Sequence, residues 1–299
     1  MPRRRSVLRE RSSSFVELFR STPTDTVCPN FYVLAHANGC SFAPGCSYCY
    51  LRSSFWYLKG PHVFTNVGRL LHDVSAWIAR DDLESYVLNM GNLSDSLVFE
   101  SVRPVVCRLV DLFRRQAHAK GRPHSLLLVT KGGARQCRPL YALEPSPSVI
   151  VSFSVNCPRA ARLHEKGVAP VSDRLRAASD LKAKGWRVRV RIDPMILSFD
   201  YAWIAGAVKR LSPERVTLGT LRAEPHLLKT ISDGLFSDLE PPLHRKALAR
   251  YPKDLRLALY HPVVETLRST CPIALCEETP DIWDALSLDR QSKPCNCGS

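Results

Sequence analysis

Short apolar runs alternate with helical patterns along most of this chain, and that alternation fixes its class of fold. Residues 31–36, 86–89, 125–130, 149–155, 187–192 and 215–218 read as strands. Several are continuously apolar, as strands covered on both faces are. Between them, the pattern over 67–79 places Leu70, Leu71, Val74 and Trp77 on one stripe, and 102–115 repeats Val105, Val106, Leu109 and Phe113. Ser172 is positioned to cap a helix over 173–184 that stops at Gly185, and a further helix covers 201–211 before Ser212 and Pro213. Consecutive parallel strands need long return connections, so this order predicts an α/β fold with crossover helices. Six such units suggest a partial barrel or a strongly curved open sheet. In such folds the working residues gather at the C-terminal ends of the strands.

The 299 residues suffice for one large α/β domain or two small ones. We expect a basic N-terminal arm over 1–28, the α/β unit over 29–260, and a small Cys-rich C-terminal extension over 261–299 that begins with a helix-like stretch to about Leu267. No apolar run approaches the roughly 18 residues of a membrane span, and no apolar core follows the basic start as a secretory signal requires. A cytoplasmic protein with no membrane partner is therefore expected. Lys and Arg exceed Asp and Glu by 14, spread along the chain, which points to a polyanion such as nucleic acid. Solubility alone is the plainer reading of that charge.

Eleven cysteines are many for a chain read as reducing-compartment, and there they indicate metal or catalysis before disulfides. Cys40, Cys46 and Cys49 sit within ten residues, in the loop after the first expected strand. Thiolates suit iron–sulfur clusters and zinc. A structural zinc wants four closed ligands, and Cys28 or His36 would have to complete that set. Three thiolates instead hold three corners of a four-iron cluster and leave one iron open. A second group, Cys271, Cys276, Cys295 and Cys297, suits an auxiliary iron–sulfur cluster or a structural zinc, with simple packing as the alternative. Cys107 is expected in the core of its helix, and Cys28 and Cys137 carry no signal.

The loop Gly39-Cys40…Cys46-Ser47-Tyr48-Cys49-Tyr50-Leu51 resembles that of radical S-adenosylmethionine enzymes, and more closely the spore photoproduct lyase-like branch. Its C-x5-C-x2-C spacing has two residues more than the usual C-x3-C-x2-C. Further matches follow in order: Ser94-Asp95-Ser96, Val129-Thr130-Lys131, Phe153-Ser154-Val155-Asn156 and Arg191-Ile192-Asp193-Pro194. Together they cover roughly residues 31–260. The resemblance implies a partial (β/α)6 TIM-type barrel and a 4Fe–4S cluster on Cys40, Cys46 and Cys49. It implies S-adenosylmethionine chelated at the open iron, contacted by Ser94, Lys131 and Ser154. One-electron cleavage would then give a 5′-deoxyadenosyl radical that abstracts hydrogen from the substrate, the electron coming from a reductant such as flavodoxin or ferredoxin.

Tyr48 and Tyr50 match the branch's tyrosine relay. Asn92 stands where the repair lyases carry a hydrogen-donating cysteine, and an amide cannot serve that purpose; Cys157 is a candidate substitute. The implied substrate is a thymine-derived base in DNA. The missing thiol favours rearrangement of a modified thymine, as in hypermodified phage DNA (host cytoplasm, if so encoded), over direct photoproduct repair. A non-catalytic zinc protein that binds nucleic acid is the alternative of another class.

Overall fold

The computed structural model describes residues 5–20, 22–28, 30–230, 234–244, 246–291 and 295–298. The sheet that dominates it has eight strands: β1 (Val16–Phe19), β2 (Phe31–Leu34), β3 (Val87–Asn89), β4 (Ser125–Thr130), β5 (Val149–Val155), β6 (Arg187–Met195), β7 (Arg215–Thr220) and β8 (Ile273–Leu275). Their spatial order is their chain order. Strands β2 to β8 are all parallel, while β1 runs antiparallel to β2 with Val16 opposite Leu34 and Phe19 opposite Phe31. No pairing joins β1 to β8 among the described residues, so the sheet is open rather than a closed barrel.

The two-residue period of a strand divides its side chains between two faces. Tyr32, Leu34, Leu88, Leu126, Leu128, Val149, Val151, Phe153, Val190, Ile192, Val216 and Leu218 pack against the helices in one large core. The helices include α1 (Leu51–Ser54), α2 (Val67–Ile78), α3 (Val106–Gln116), α4 (Pro158–His164), α5 (Val171–Ala183), α6 (Ala202–Leu211) and, near the end, Lys253–Leu267. The other face carries Phe31, Val33, Val87, Leu127 and Ile150 in a smaller apolar cluster. Each fully buried side chain of this size contributes about 1.5–3 kcal/mol.

All six expected strands are present, β4 and β5 with the expected ends. Two strands of this sheet went unread. They are β1, in the expected basic arm, and β8, in the expected Cys-rich extension, so both flanking segments add an edge strand to the sheet. Both are three or four residues long, too short for periodicity to distinguish. Helix α5 begins after Pro170, which places Ser172 inside its first turn instead of at the cap. Its end is as expected: Gly185 has φ of 102°, and Gly185 N and Trp186 N donate back to Lys182 O and Leu181 O. Cys107 is exposed and not in the core, because the buried stripe of α3 runs through Val106, Leu109, Val110 and Phe113.

Candidate active site

Beyond β2 the chain enters the cysteine loop. Gly39 and Gly45 adopt φ of 89° and 92°, in the region that favours glycine. The Gly45–Cys46 step pairs antiparallel with Glu165–Lys166, just after α4, and Ser47 N donates to His164 O at 2.8 Å. Gly167 lets the two segments cross, since a Cβ there would lie 2.2 Å from Ala43 O. The loop is thereby held against the turn that follows β5 and α4.

Cys40, Cys46 and Cys49 are free, half-buried and within electrostatic reach of one another. Burial pushes all three thiols up; Cys46 reaches about 12 even though Lys131 pulls the other way. A bound metal must supply the positive charge that lets them ionise. Among the described residues no three Cys, His, Asp or Glu side chains are already closed into a metal shell. The donor set itself, three thiols on one loop, fits a cluster held at three corners.

Beside the loop lies a buried polar network. Lys131, just past the end of β4, donates from Nζ to Ser154 Oγ on β5 at 2.5 Å and pairs with Glu165 at 3.3 Å. Arg174 of α5 holds Glu165 at 2.6 Å and donates to Ser154 O at 3.0 Å. The Tyr48 hydroxyl also donates to Glu165. Burial alone would raise the Glu165 carboxyl, but Lys131 and Arg174 outweigh it and hold the group at about 2. Tyr48 is pushed well up, first by burial and then by that carboxylate.

The segment after β3 closes the other side. Gly91 passes so near Val129 that a Cβ would lie 2.4 Å from its Cβ. Tyr50 donates its hydroxyl to the backbone oxygen of Asn92. Asp95 accepts from Thr130 Oγ1 at 3.0 Å and from Lys131 N at 2.8 Å, tying this segment to the end of β4. Ser94 is buried, and its hydroxyl finds no hydrogen-bond partner among the described residues. An orphaned hydroxyl there, with an ammonium and a second hydroxyl across the site, suits the polar ends of S-adenosylmethionine. The structure thus joins Tyr48 to Glu165, Tyr50 to Asn92 and Lys131 to Ser154, and Leu93, beside Ser94, accepts from Gly39 N of the cysteine loop at 2.9 Å.

The second cysteine group is divided. Cys271 lies near Arg268, Ser287 and Leu288, and packs with the helical core. Cys276, Cys295 and Cys297 lie together elsewhere, with Cys28. Cys157 accepts from Ala160 N at 3.3 Å, which makes it the cap of α4.

A family model described as spore photoproduct lyase matches residues 12–216. The chain belongs to this family. It is therefore a radical S-adenosylmethionine enzyme, and the non-catalytic zinc alternative is set aside. Several solved structures share its fold. A tyrosine-to-phenylalanine variant of spore photoproduct lyase superposes with a TM-score of 0.74 at 16% identity, covering 92% of this chain and 82% of that one. Spore photoproduct lyase complexed with dinucleoside spore photoproduct gives 0.73 at 16%, covering 91% and 82%. A doubly substituted form with bound AdoMet and the same dinucleoside gives 0.72 at 15%, covering 92% and 82%. No curated protein matches the chain in sequence. No helix among the described residues is long and apolar enough to cross a membrane.

Within this family member, sequence reasoning missed Glu165 and Arg174. Glu165 lies in a two-residue strand with no motif around it, and Arg174 reads as an ordinary helix residue. Only the fold makes them the centre of the network. A second ionic group, Arg191 and Arg222 on Asp193, lines the ends of β6 and β7; Arg222 bonds Asp193 at 2.8 Å.

Proposed function

We propose that this chain uses radical chemistry to reverse a thymine-derived photoproduct in DNA. One observation carries the reading: the family match over residues 12–216 contains the cysteine loop, Asn92, Ser94, Lys131, Ser154 and Glu165 in one continuous stretch. Cys40, Cys46 and Cys49 would hold a 4Fe–4S cluster. When bound, the cluster and S-adenosylmethionine supply a 5′-deoxyadenosyl radical, and the reductant is a small electron carrier such as flavodoxin or ferredoxin. Lys131 would pair with the cofactor carboxylate, and Ser94 and Ser154 would donate to its polar groups. Glu165 and Arg174 keep Lys131 in place, and Tyr48, bonded to Glu165, is oriented within the cluster loop. The excess of 14 positive charges supports a DNA substrate, because neutralised phosphates release counterions.

Asn92 favours a second reading, rearrangement of a modified thymine. An amide gives no hydrogen atom to a product radical, whereas a rearrangement retrieves it from 5′-deoxyadenosine. Reduced, reconstituted enzyme with S-adenosylmethionine should be incubated with DNA containing the thymine photoproduct and with DNA containing side-chain-modified thymines, and the nucleosides weighed by mass spectrometry. Return of two thymidines from the photoproduct is the expected result. Conversion of a modified thymine alone would favour the second reading. Vigorous S-adenosylmethionine cleavage with neither DNA changed would refute both.

A further inference from the structure

A second set of thiols meets on the face of the sheet turned away from the helices. Tail residues 295–298 lie across that face and are clamped there. Arg189 Nη1 donates to the carbonyls of Asn296 and Gly298 at 2.8 and 2.9 Å, and Arg215 donates to that of Cys295 at 2.8 Å. Ser152 Oγ donates to Asn296 Oδ1 at 3.0 Å, and Asn89 Nδ2 approaches Cys297 Sγ at 3.5 Å. Cys295 and Cys297 are buried against Phe31, Val33, Val87, Leu127 and Ile150.

Cys276 follows β8 and is buried; its sulfur accepts from Arg191 at 3.2 Å and Arg222 at 3.0 Å. Cys28 precedes β2, and its neighbour Val27 is tied to the segment after Cys276 by a bond of 2.9 Å to Glu278 O. The sulfurs converge. Cys295 neighbours both Cys28 and Cys297, and Cys276 lies within electrostatic reach of Cys28 and Cys297. None of the four is in a disulfide.

We propose that Cys28, Cys276, Cys295 and Cys297 form a tetrathiolate site for a single zinc-class ion, which fastens the C-terminal tail across the sheet. Four cysteines in a closed tetrahedral set are what a structural zinc takes. A zinc–sulfur bond of about 2.3 Å puts neighbouring sulfurs about 3.8 Å apart. Direct contact of Cys295 with Cys28 and with Cys297 is in keeping with that spacing. A four-iron cluster would hold its thiolates farther apart, around its own sulfides. Among the described residues no three or more Cys, His, Asp or Glu side chains are arranged to hold an ion as they stand, so binding would have to draw Cys28, Cys276, Cys295 and Cys297 together. Zinc with four thiolates carries net negative charge, and Arg191 and Arg222, already on Cys276, offset it while also serving Asp193 and, for Arg222, Glu277. The four thiols lie outside the cluster loop, with Cys297 and Arg191 within electrostatic reach of its Tyr50, and the set replaces Cys271 of the sequence-predicted group with Cys28.

The test uses the full chain with Cys40→Ala, Cys46→Ala and Cys49→Ala, so that the first site cannot bind, and titrates it anaerobically with Co2+. The expected result is saturation at one equivalent, with thiolate charge-transfer absorption and the intense visible bands of a tetrahedral ion, displaced by zinc. Adding Cys28→Ser or Cys295→Ser should weaken binding by at least about tenfold, and adding Cys271→Ser should not. The parent spectrum needs no further substitution: absence of tetrahedral bands, or fewer than four thiolate ligands, overturns the assignment. So does unchanged affinity in Cys28→Ser, or iron with acid-labile sulfide bound by these four residues.

Discussion

Lys131 and Glu165 form an ion pair at 3.3 Å, with the Glu165 side chain fully buried. The pair joins the end of β4 to the turn that braces the cysteine loop. It therefore couples the positions of the cofactor-facing lysine and the cluster ligands through one carboxylate.

Glu165→Gln is expected to destabilise the protein by about 3–5 kcal/mol at neutral pH, because it leaves the buried Arg174 without its partner. The pH dependence has a definite sign. The folded-state value of about 2 lies below the ordinary 4.5, so the carboxylate stabilises the fold above that ordinary value. That contribution, about 3 kcal/mol, fades as pH falls from about 4.5 toward 2. Urea unfolding at pH 6, 4 and 3 should show this loss in the wild type and a smaller one in Glu165→Gln.

Ser94→Ala should separate binding from folding. The hydroxyl is buried and has no partner among the described residues, so its removal breaks no hydrogen bond seen there. The unfolding midpoint should stay put or rise slightly. S-adenosylmethionine should bind about 2- to 10-fold more weakly, the equivalent of one hydrogen bond. A drop in stability with unchanged affinity would refute this role.

Gly91→Ala places a Cβ 2.4 Å from Val129 Cβ. Such a clash typically costs about 1–3 kcal/mol. Val129→Gly in the same chain removes the Cβ that the new group meets. A double-mutant cycle by chemical denaturation should show favourable coupling of about 0.5 kcal/mol or more between the two changes.

Each of Cys40→Ala, Cys46→Ala and Cys49→Ala should lose most iron after anaerobic reconstitution while keeping its far-ultraviolet circular dichroism. The loop is held by Gly45–Cys46 backbone pairing with Glu165–Lys166, which needs no thiol. Metal-free wild-type protein should alkylate slowly at Cys46 at pH 8, since burial lifts that thiol to about 12. Peptide mapping after brief iodoacetamide exposure measures it, and rapid labelling of Cys46 would contradict the buried, protonated state.

Six of the seven parallel strands, their order and the cysteine loop were legible because their signals are local. A short continuous apolar run such as residues 126–129 between turn residues reads as a covered strand, and three cysteines within ten residues announce their own chemistry. Gly185 was readable as a helix stop because a left-handed backbone residue after a helix is a property of one position.

Glu165, Arg174 and the company of Cys28 were decided by the tertiary structure alone. Glu165 is distant in sequence from Tyr48, and Cys28 from Cys295; neither pair carries any mark of the other until the sheet is wound. Residue type and spacing fix what a segment can do by itself. Which buried charge meets its counter-ion, and which thiols share a site, depends on loop closures that only the packed chain makes, because their entropy cost is repaid by contacts formed across the whole sheet.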